Sequence, residues 1–187
     1  MFIQTEATPN PATVKFLPGQ AVLEKGTAEF KNVNEAKHAP LAKRLFALQG
    51  VEGVFLGADF ISVSKAEDTD WSMLKPMVLG ALMEHFSTGQ PVVLETYYEV
   101  VVGSVSEDDD EISAQIRELI ETRVRPMVAM DGGDIEFDRF EGGVVYLHMR
   151  GACAGCPSST ATLKMGIENM LKHFVPEVQE VCPVEGF

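Results

Sequence analysis

Apolar and polar positions along this chain fall into short blocks, and the blocks change period at recognisable stops. Phe2 to Thr5, Thr13 to Leu17 and Thr27 to Phe30 read as short strands, alternating and in part β-branched. Thr8-Pro9-Asn10-Pro11 is a rigid turn, because each proline fixes its own φ and pushes the residue before it away from α. Pro18-Gly19 ends the second strand. Pro40 to Leu48 then has helical spacing at Leu41, Leu45 and Leu48, with Pro40 suited to a first turn and Gly50 to a stop. Gly53 to Leu56 and Phe60 to Val63, separated by Gly57-Ala58-Asp59, read as a hairpin. Asp70-Trp71-Ser72 opens a helix to about Phe86, with Leu74, Val78, Leu82 and Phe86 on one stripe, and Gly89-Gln90-Pro91 stops it. Trp71 and the Met and Phe residues of this helix are assigned to the core.

Past Pro91 the pattern loosens. Val92 to Leu94 and Tyr97 to Val102 are apolar enough for strand, or for a segment docked on one domain. Glu107 to Glu111 are five adjacent acids, which repel one another and favour a solvated connection. Contiguous carboxylates do not converge on a cation as the spaced ligands of a calcium loop do. Helical spacing resumes at Ile112, Ile116, Leu119, Ile120 and Val124, and Pro126 is expected to kink or end the helix. Asp131-Gly132-Gly133-Asp134 reads as a stop and turn. Ile135 to Phe140 alternates with period two, Glu141-Gly142-Gly143 turns, and Val144 to Met149 returns. A glycine- and cysteine-bearing loop follows, then a helix to about Phe174 carrying Leu163, Ile167, Met170 and Leu171, then a strand at Val178 to Val181. The expected fold class is α+β, with two small α/β-sandwich-like domains. One covers 1–90; 91–111 is a linker, acidic at its end; and 112–187 holds a three-stranded sheet with helices on one face.

Composition narrows the function. The 187 residues are 45% hydrophobic, enough for packed cores, and the formal net charge is −13. That balance excludes a basic surface for nucleic acid or anionic membrane. No apolar run approaches the roughly 20 residues of a membrane span. Met1-Phe2-Ile3-Gln4-Thr5-Glu6 is neither a signal peptide nor an Arg-rich transit peptide, so the expected location is cytoplasmic, or the mitochondrial matrix if a leader has been removed. His38 and His85 have no ligand-like spacing and are read as surface or half-buried histidines.

The three cysteines are Cys153, Cys156 and Cys182. Gly151-Ala152-Cys153-Ala154-Gly155-Cys156-Pro157-Ser158-Ser159 puts the first two in a tight loop at a helix start, where backbone N–H groups and the helix dipole are expected to favour thiolates. Such a pair holds half of a metal or cluster site, forms a redox dithiol, or sits in a core without either role. Zinc and iron–sulfur sites want four ligands, so the simplest completion is a second copy of the chain. Gly151 and Gly155 suit strained backbone and close approach, Pro157 suits a first helical turn, and Ser158 and Ser159 are candidate caps. The rivals are a thiol–disulfide oxidoreductase using the same pair and a zinc-bridged structural dimer. A thioredoxin-like context is missing, since a hairpin rather than a βαβ unit precedes the loop.

The loop, together with Asp131-Gly132-Gly133-Asp134-Ile135, resembles the C-terminal domain of the Nfu/NifU-type iron–sulfur cluster scaffolds. Phe2 to Glu6, Thr8-Pro9-Asn10-Pro11, Gly53-Val54-Phe55, Asp59-Phe60-Ile61 and the Trp71 helix are similar to the N-terminal domain of the two-domain form. The resemblance implies a carrier, not an enzyme. It would bind a [4Fe–4S] cluster between two subunits through Cys153 and Cys156 and deliver it to apo iron–sulfur proteins. Upstream cluster assembly machinery and a homodimer formed on loading are the other implied partners. The cysteine-free N-terminal domain would serve partner recognition. Cys182 lies outside the motif and receives no role.

Overall fold

The alternation becomes sheet in both halves of the computed structural model, which describes residues 2–97, 110–154 and 157–184, with backbone alone at 157–159. The chain divides into two units, Met1–Val105 and Ser106–Phe187. In the first, β1 (Gln4–Ala7), β2 (Thr13–Leu17), β3 (Ala28–Phe30), β4 (Val51–Leu56) and β5 (Ile61–Lys65) form one antiparallel sheet in the order β1-β2-β5-β4-β3. Two helices, α1 (Pro40–Phe46) and α2 (Trp71–Ser87), bring Leu41, Leu45, Leu74, Val78 and Leu82 onto Phe16, Ile61 and Val63 of the sheet. Asp70 caps α2 by accepting the Ser72 N–H at 2.7 Å, an arrangement typically worth about 1 kcal/mol. Trp71 packs partly buried against this core and donates Nε1–H to the Pro11 carbonyl at 3.2 Å.

Val92, Val93 and Tyr97 also pack on the first core. The Leu41 N–H donates to the Val92 carbonyl at 3.4 Å and the Leu94 N–H to the His38 carbonyl at 2.8 Å. The described part of this stretch is thus a docked segment rather than strand, and the expected strand beyond Tyr97 lies outside the described residues.

His85 departs from the expectation of a surface or half-buried ring. It is fully buried on α2, edge-on to Phe86, and neither ring nitrogen has a hydrogen-bond partner among the described residues. His85 lies three residues past Leu82 and seven past Val78, so the helical period carries it onto the same inner stripe as Leu74, Val78 and Leu82. Burial, with Arg44 nearby, lowers its pKa from the ordinary histidine value. The backbone at Pro91 and Gln90, outside hydrogen-bonding geometry, offsets only part of this. The unfolded chain therefore takes up this proton at a higher pH than the folded chain does. Its effect on stability is absent above about pH 6.5 and becomes destabilising as pH falls below it. His85→Phe should flatten that fall. Denaturant unfolding followed by fluorescence of Trp71, the single tryptophan, is the check. The parent should lose more stability than the variant between pH 7.5 and pH 5, and equal losses would refute the assignment.

In the second unit, Asp110 caps α3 (Glu111–Leu119) by accepting the Ser113 N–H at 2.8 Å. The acids at 107–109 lie outside the described residues. Pro126 neither ends the helix nor stands alone in it. The chain passes through a π-helical turn at Ile120–Val124 and continues as α4 (Arg125–Met130). A proline lacks the N–H and crowds the preceding turn, and the wider π turn just before it absorbs both defects. The sheet follows, β6 (Gly133–Glu141), β7 (Val144–Gly151) and β8 (Glu180–Pro183), with α5 (Pro157–Phe174) crossing from β7 to β8. β6 and β7 are antiparallel, while β7 and β8 are parallel, as a helical crossover requires.

One face of this sheet is core. Ile135, Phe137, Val145, Leu147 and Val181 meet Ile116, Ile120, Val124 and Val128 from the first helical run and Ile167 and Leu171 from α5. The other face is polar. Arg150 pairs with Glu136 at 2.6 Å, His148 with Asp138 at 3.0 Å, and the Arg139 guanidinium lies 3.9 Å from the Tyr146 ring centre. The molecule is α+β, with the three-stranded second sheet that the period-two blocks predicted.

Candidate functional site

β7 leaves the sheet at Gly151, whose φ of +62° is left-handed, where a Cβ is strained. Three bonds then fix the loop. The Ala152 N–H donates to the Gly132 carbonyl at 3.2 Å and the Ala154 N–H to the Gly151 carbonyl at 3.1 Å, while Thr160 Oγ1 donates to the Cys153 carbonyl at 3.5 Å. α5 starts at Pro157, so Ser158 and Ser159 fall inside its first turn rather than at its cap. Gly155 and Cys156 lie outside the described residues.

Cys153 is 6% exposed and belongs to the hydrophobic core of its unit. Burial first, then the charges of Asp131 and Asp134, push its thiol up to about 12. This corrects the expectation that the loop favours a thiolate. The helix start does not set the balance, because the sulfur is withdrawn from water among aliphatic side chains beside two carboxylates. At neutral pH Cys153 is a protonated thiol, and a metal must displace that proton to bind it.

Cys153 is seated against Gly133. A Cβ built on Gly133 would lie 2.3 Å from Cys153 Sγ, 2.9 Å from the Cys153 nitrogen and 3.0 Å from the Arg150 carbonyl oxygen. The residue after Gly133 is itself tied down. The Asp134 side chain, 5% exposed, receives Arg125 Nε–H at 2.9 Å and Nη2–H at 2.8 Å, and its Oδ1 also accepts the Ile135 N–H at 2.9 Å. Arg125 Nη1 reaches Glu121 at 3.0 Å. Hydrogen bonding to Asp134, ahead of the opposing burial, raises the Arg125 pKa further. The guanidinium thus binds the end of the first helical run to the start of β6, beside the cysteine loop. Gly133→Ala should displace Cys153 and cost about 1–3 kcal/mol through overpacking. Thermal unfolding of the metal-free chain, with thiol titration of the folded state, checks it. An unchanged midpoint and unchanged Cys153 reactivity would contradict the geometry.

Cys182 is placed apart. It pairs in register with Tyr146, while its neighbour Val181 pairs with Val145 and is fully buried. Successive strand side chains point to opposite faces, so Cys182 is on the polar face and Cys153 on the core side. Among the described residues no three His, Cys, Asp or Glu side chains gather as a metal site would need. Spacing singled out the cysteines but not the Arg125–Asp134 pair. Its signal was the charged Asp134 after Gly132-Gly133, in a stretch that the sequence marked as a stop and turn and that the structure makes the start of β6.

Two family models match separate parts of the chain. The family described as "Scaffold protein Nfu/NifU N terminal" matches residues 3–89, and the NifU-like domain family matches residues 116–182. The chain belongs to the Nfu/NifU-type scaffold family, in its two-domain form. It is 51% identical over 184 residues to NifU-like protein 4, mitochondrial, of Arabidopsis thaliana, covering 97% of this chain and 65% of that protein. It is 48% identical over 182 residues to the human NFU1 iron-sulfur cluster scaffold homolog, mitochondrial, covering 97% of this chain and 71% of that protein. The chain thus spans about two thirds of these relatives' length. The solution structure of a NifU-like protein from Saccharomyces cerevisiae superposes with a TM-score of 0.46 at 28% identity, over 51% of this chain and 86% of that one.

Proposed function

We propose that this chain is an iron–sulfur cluster scaffold and carrier, with Cys153 and Cys156 as its two ligands to a [4Fe–4S] cluster shared with a second copy. The observation that carries this reading is the half-site. Cys153 sits in the loop before α5, Cys182 is on the opposite face of the sheet, and no other ligand set gathers among the described residues. A four-iron cluster takes four thiolates, which two loops supply. Family membership supports the same reading, as does the scaffold in the human relative's name. Mitochondrial in the relatives' names favours the matrix alternative over the cytoplasmic one.

The cluster is cargo. On delivery, each iron–sulfur bond to a cysteine of this chain breaks as one to a recipient thiol forms, and the recipient's proton passes to the released thiolate. Burial beside Asp131 and Asp134 favours the protonated thiol of Cys153 over its thiolate, which is one contribution in favour of its release. The same preference opposes Cys153 as the attacking sulfur of a dithiol oxidoreductase, which needs a lowered pKa. The reading assigns no catalysis. The first unit would engage partners, among them apo iron–sulfur proteins and the machinery that supplies the cluster, with 91–111 as the join. Anaerobic reconstitution with iron and sulfide tests the reading. About four irons and four sulfides per pair of chains, in a dimer that passes them to an apo-acceptor, are expected. Zinc without sulfide would support the bridged structural dimer instead, and turnover of a disulfide by the metal-free chain would support redox catalysis.

A further inference from the structure

We propose that residues 90–97 are a pH-sensitive strap: protonation of His85 beneath it releases it from the first unit and lengthens the tether to the second. The inference stands apart from the half-site reading, since no cysteine takes part in it.

Few contacts hold the strap. Ala39 precedes α1 and offers no side-chain cap, so the helix start draws on another segment for an acceptor. The Val92 carbonyl accepts the Leu41 N–H at 3.4 Å, and the Leu94 N–H donates to the His38 carbonyl at 2.8 Å. His38 Nδ1 lies 3.0 Å from Thr96 Oγ1. A hydroxyl both donates and accepts, so that contact survives protonation of His38. Val92, Val93 and Tyr97 pack on the core only partly buried, with the Tyr97 ring centre 5.9 Å from that of Phe30. Leu94, Glu95 and Thr96 are exposed.

Beneath the start of the strap is the group that opposes docking. The His85 ring is fully buried, and the backbone of Gln90 and Pro91 lies beside it outside hydrogen-bonding geometry. A neutral imidazole has one donor and one acceptor, and neither is used among the described residues. A second proton makes both nitrogens donors and puts a charge away from water. From α1 the ring faces Arg44, whose charge repels an imidazolium. Arg44 is paired with Glu84 of α2 at 2.9 Å, and that carboxylate is 68% exposed. Lys43, Lys75, Glu95 and Tyr97 complete the ionisable groups of α1, α2 and the strap.

The docked strap therefore holds the ring neutral, whereas an open strap leaves it to water. The docked form loses ground as pH falls below about 6.5 and is unaffected above it. Residues 91–97 lie between α2 and the second unit. Released, they add up to about 25 Å of reach at full extension.

Amide exchange of the full metal-free chain at pH 7.5 and pH 5.5 tests the strap, in the parent, His85→Phe and His85→Gln. Phenylalanine fills the site and glutamine keeps a polar group that does not titrate, so the pair separates titration from packing. Comparing chains at one pH cancels the intrinsic pH dependence of exchange. The ratio of parent to variant exchange at the Leu94 and Leu41 amides should rise between pH 7.5 and pH 5.5 by up to about ten-fold. That is the ceiling one proton sets about one unit below an ordinary histidine value. These amides should also be less protected than those of the β2–β5 pairing and insensitive to low denaturant, as local opening requires. A ratio that stays flat with either variant overturns the strap. So does exchange at Leu94 and Leu41 that climbs with denaturant in step with β2 and β5, because the ring is then uncovered only when the whole unit unfolds.

Discussion

Cys153→Ala and Cys156→Ala should each abolish cluster retention, while Cys182→Ser should keep parent levels of iron and sulfide. The size of the loss follows from the half-site. A four-thiolate metal site is worth on the order of 10–16 kcal/mol, so each thiolate carries roughly 3 kcal/mol, or more than 100-fold in affinity. Twofold sharing doubles the damage, because one substitution removes a ligand from both loops. Cys153 is also a core side chain, so its alanine variant needs a folded-state control. Circular dichroism should show the parent fold, since a small buried side chain loses only one heavy atom. Cys182 lies on the polar face of β8, opposite Tyr146, and cannot reach the loop without inverting the strand. The measurement is iron and sulfide per chain after anaerobic reconstitution and desalting. Parent-level cluster in Cys153→Ala, or a large loss in Cys182→Ser, would mean that the ligand set is wrong.

Much of this fold was legible because its elements are locally consistent. β2, the β4–β5 hairpin and α2 fall within a few residues of where period and stop signals put them. The same is true of β6, β7 and α5, whose boundaries are set by Gly142-Gly143, Gly151 and Pro157. What stayed hidden was anything decided by packing between distant segments. The stretch at 92–97 reads equally as strand or as a docked segment because it is apolar, and its contacts with α1 and the core decide for the second. His85 reads as surface or half-buried from its polarity, although it lies three residues past Leu82 and seven past Val78, on the stripe that the packing buries. Pro126 reads as a kink or an end, and the choice between them stays open because a π turn has no sequence period of its own. At the site, the two cysteines were plain from their spacing. The protonation state of Cys153 was not, since it depends on aliphatic neighbours from α3, β6 and α5 and on two nearby acids.

Arg125→Met should be the most damaging substitution away from the cysteines, at about 3–5 kcal/mol of second-unit stability. The guanidinium is a quarter exposed, but its partner Asp134 is 5% exposed and both carboxylate oxygens take its hydrogens. Removing the cation leaves a buried carboxylate with the Ile135 N–H but without its counter-charge. Replacing both partners, as in Arg125→Met with Asp134→Leu, should restore much of the loss, because no buried charge then remains. Recovery in the double variant separates the cost of the orphaned carboxylate from any loss of packing by the arginine stem. The pair also has a consequence at the loop. Asp134 is the chain neighbour of Gly133, and Gly133 is the surface on which Cys153 rests, so the single variant should let the Cys153 thiol react with a small alkylating reagent faster than in the parent. Denaturant unfolding of the second unit by amide exchange, with alkylation timed under folding conditions, reads both effects. Protection factors for β6 and β7 equal to the parent's in Arg125→Met would show that the pair is a surface contact, and that Cys153 is held by the aliphatic core alone.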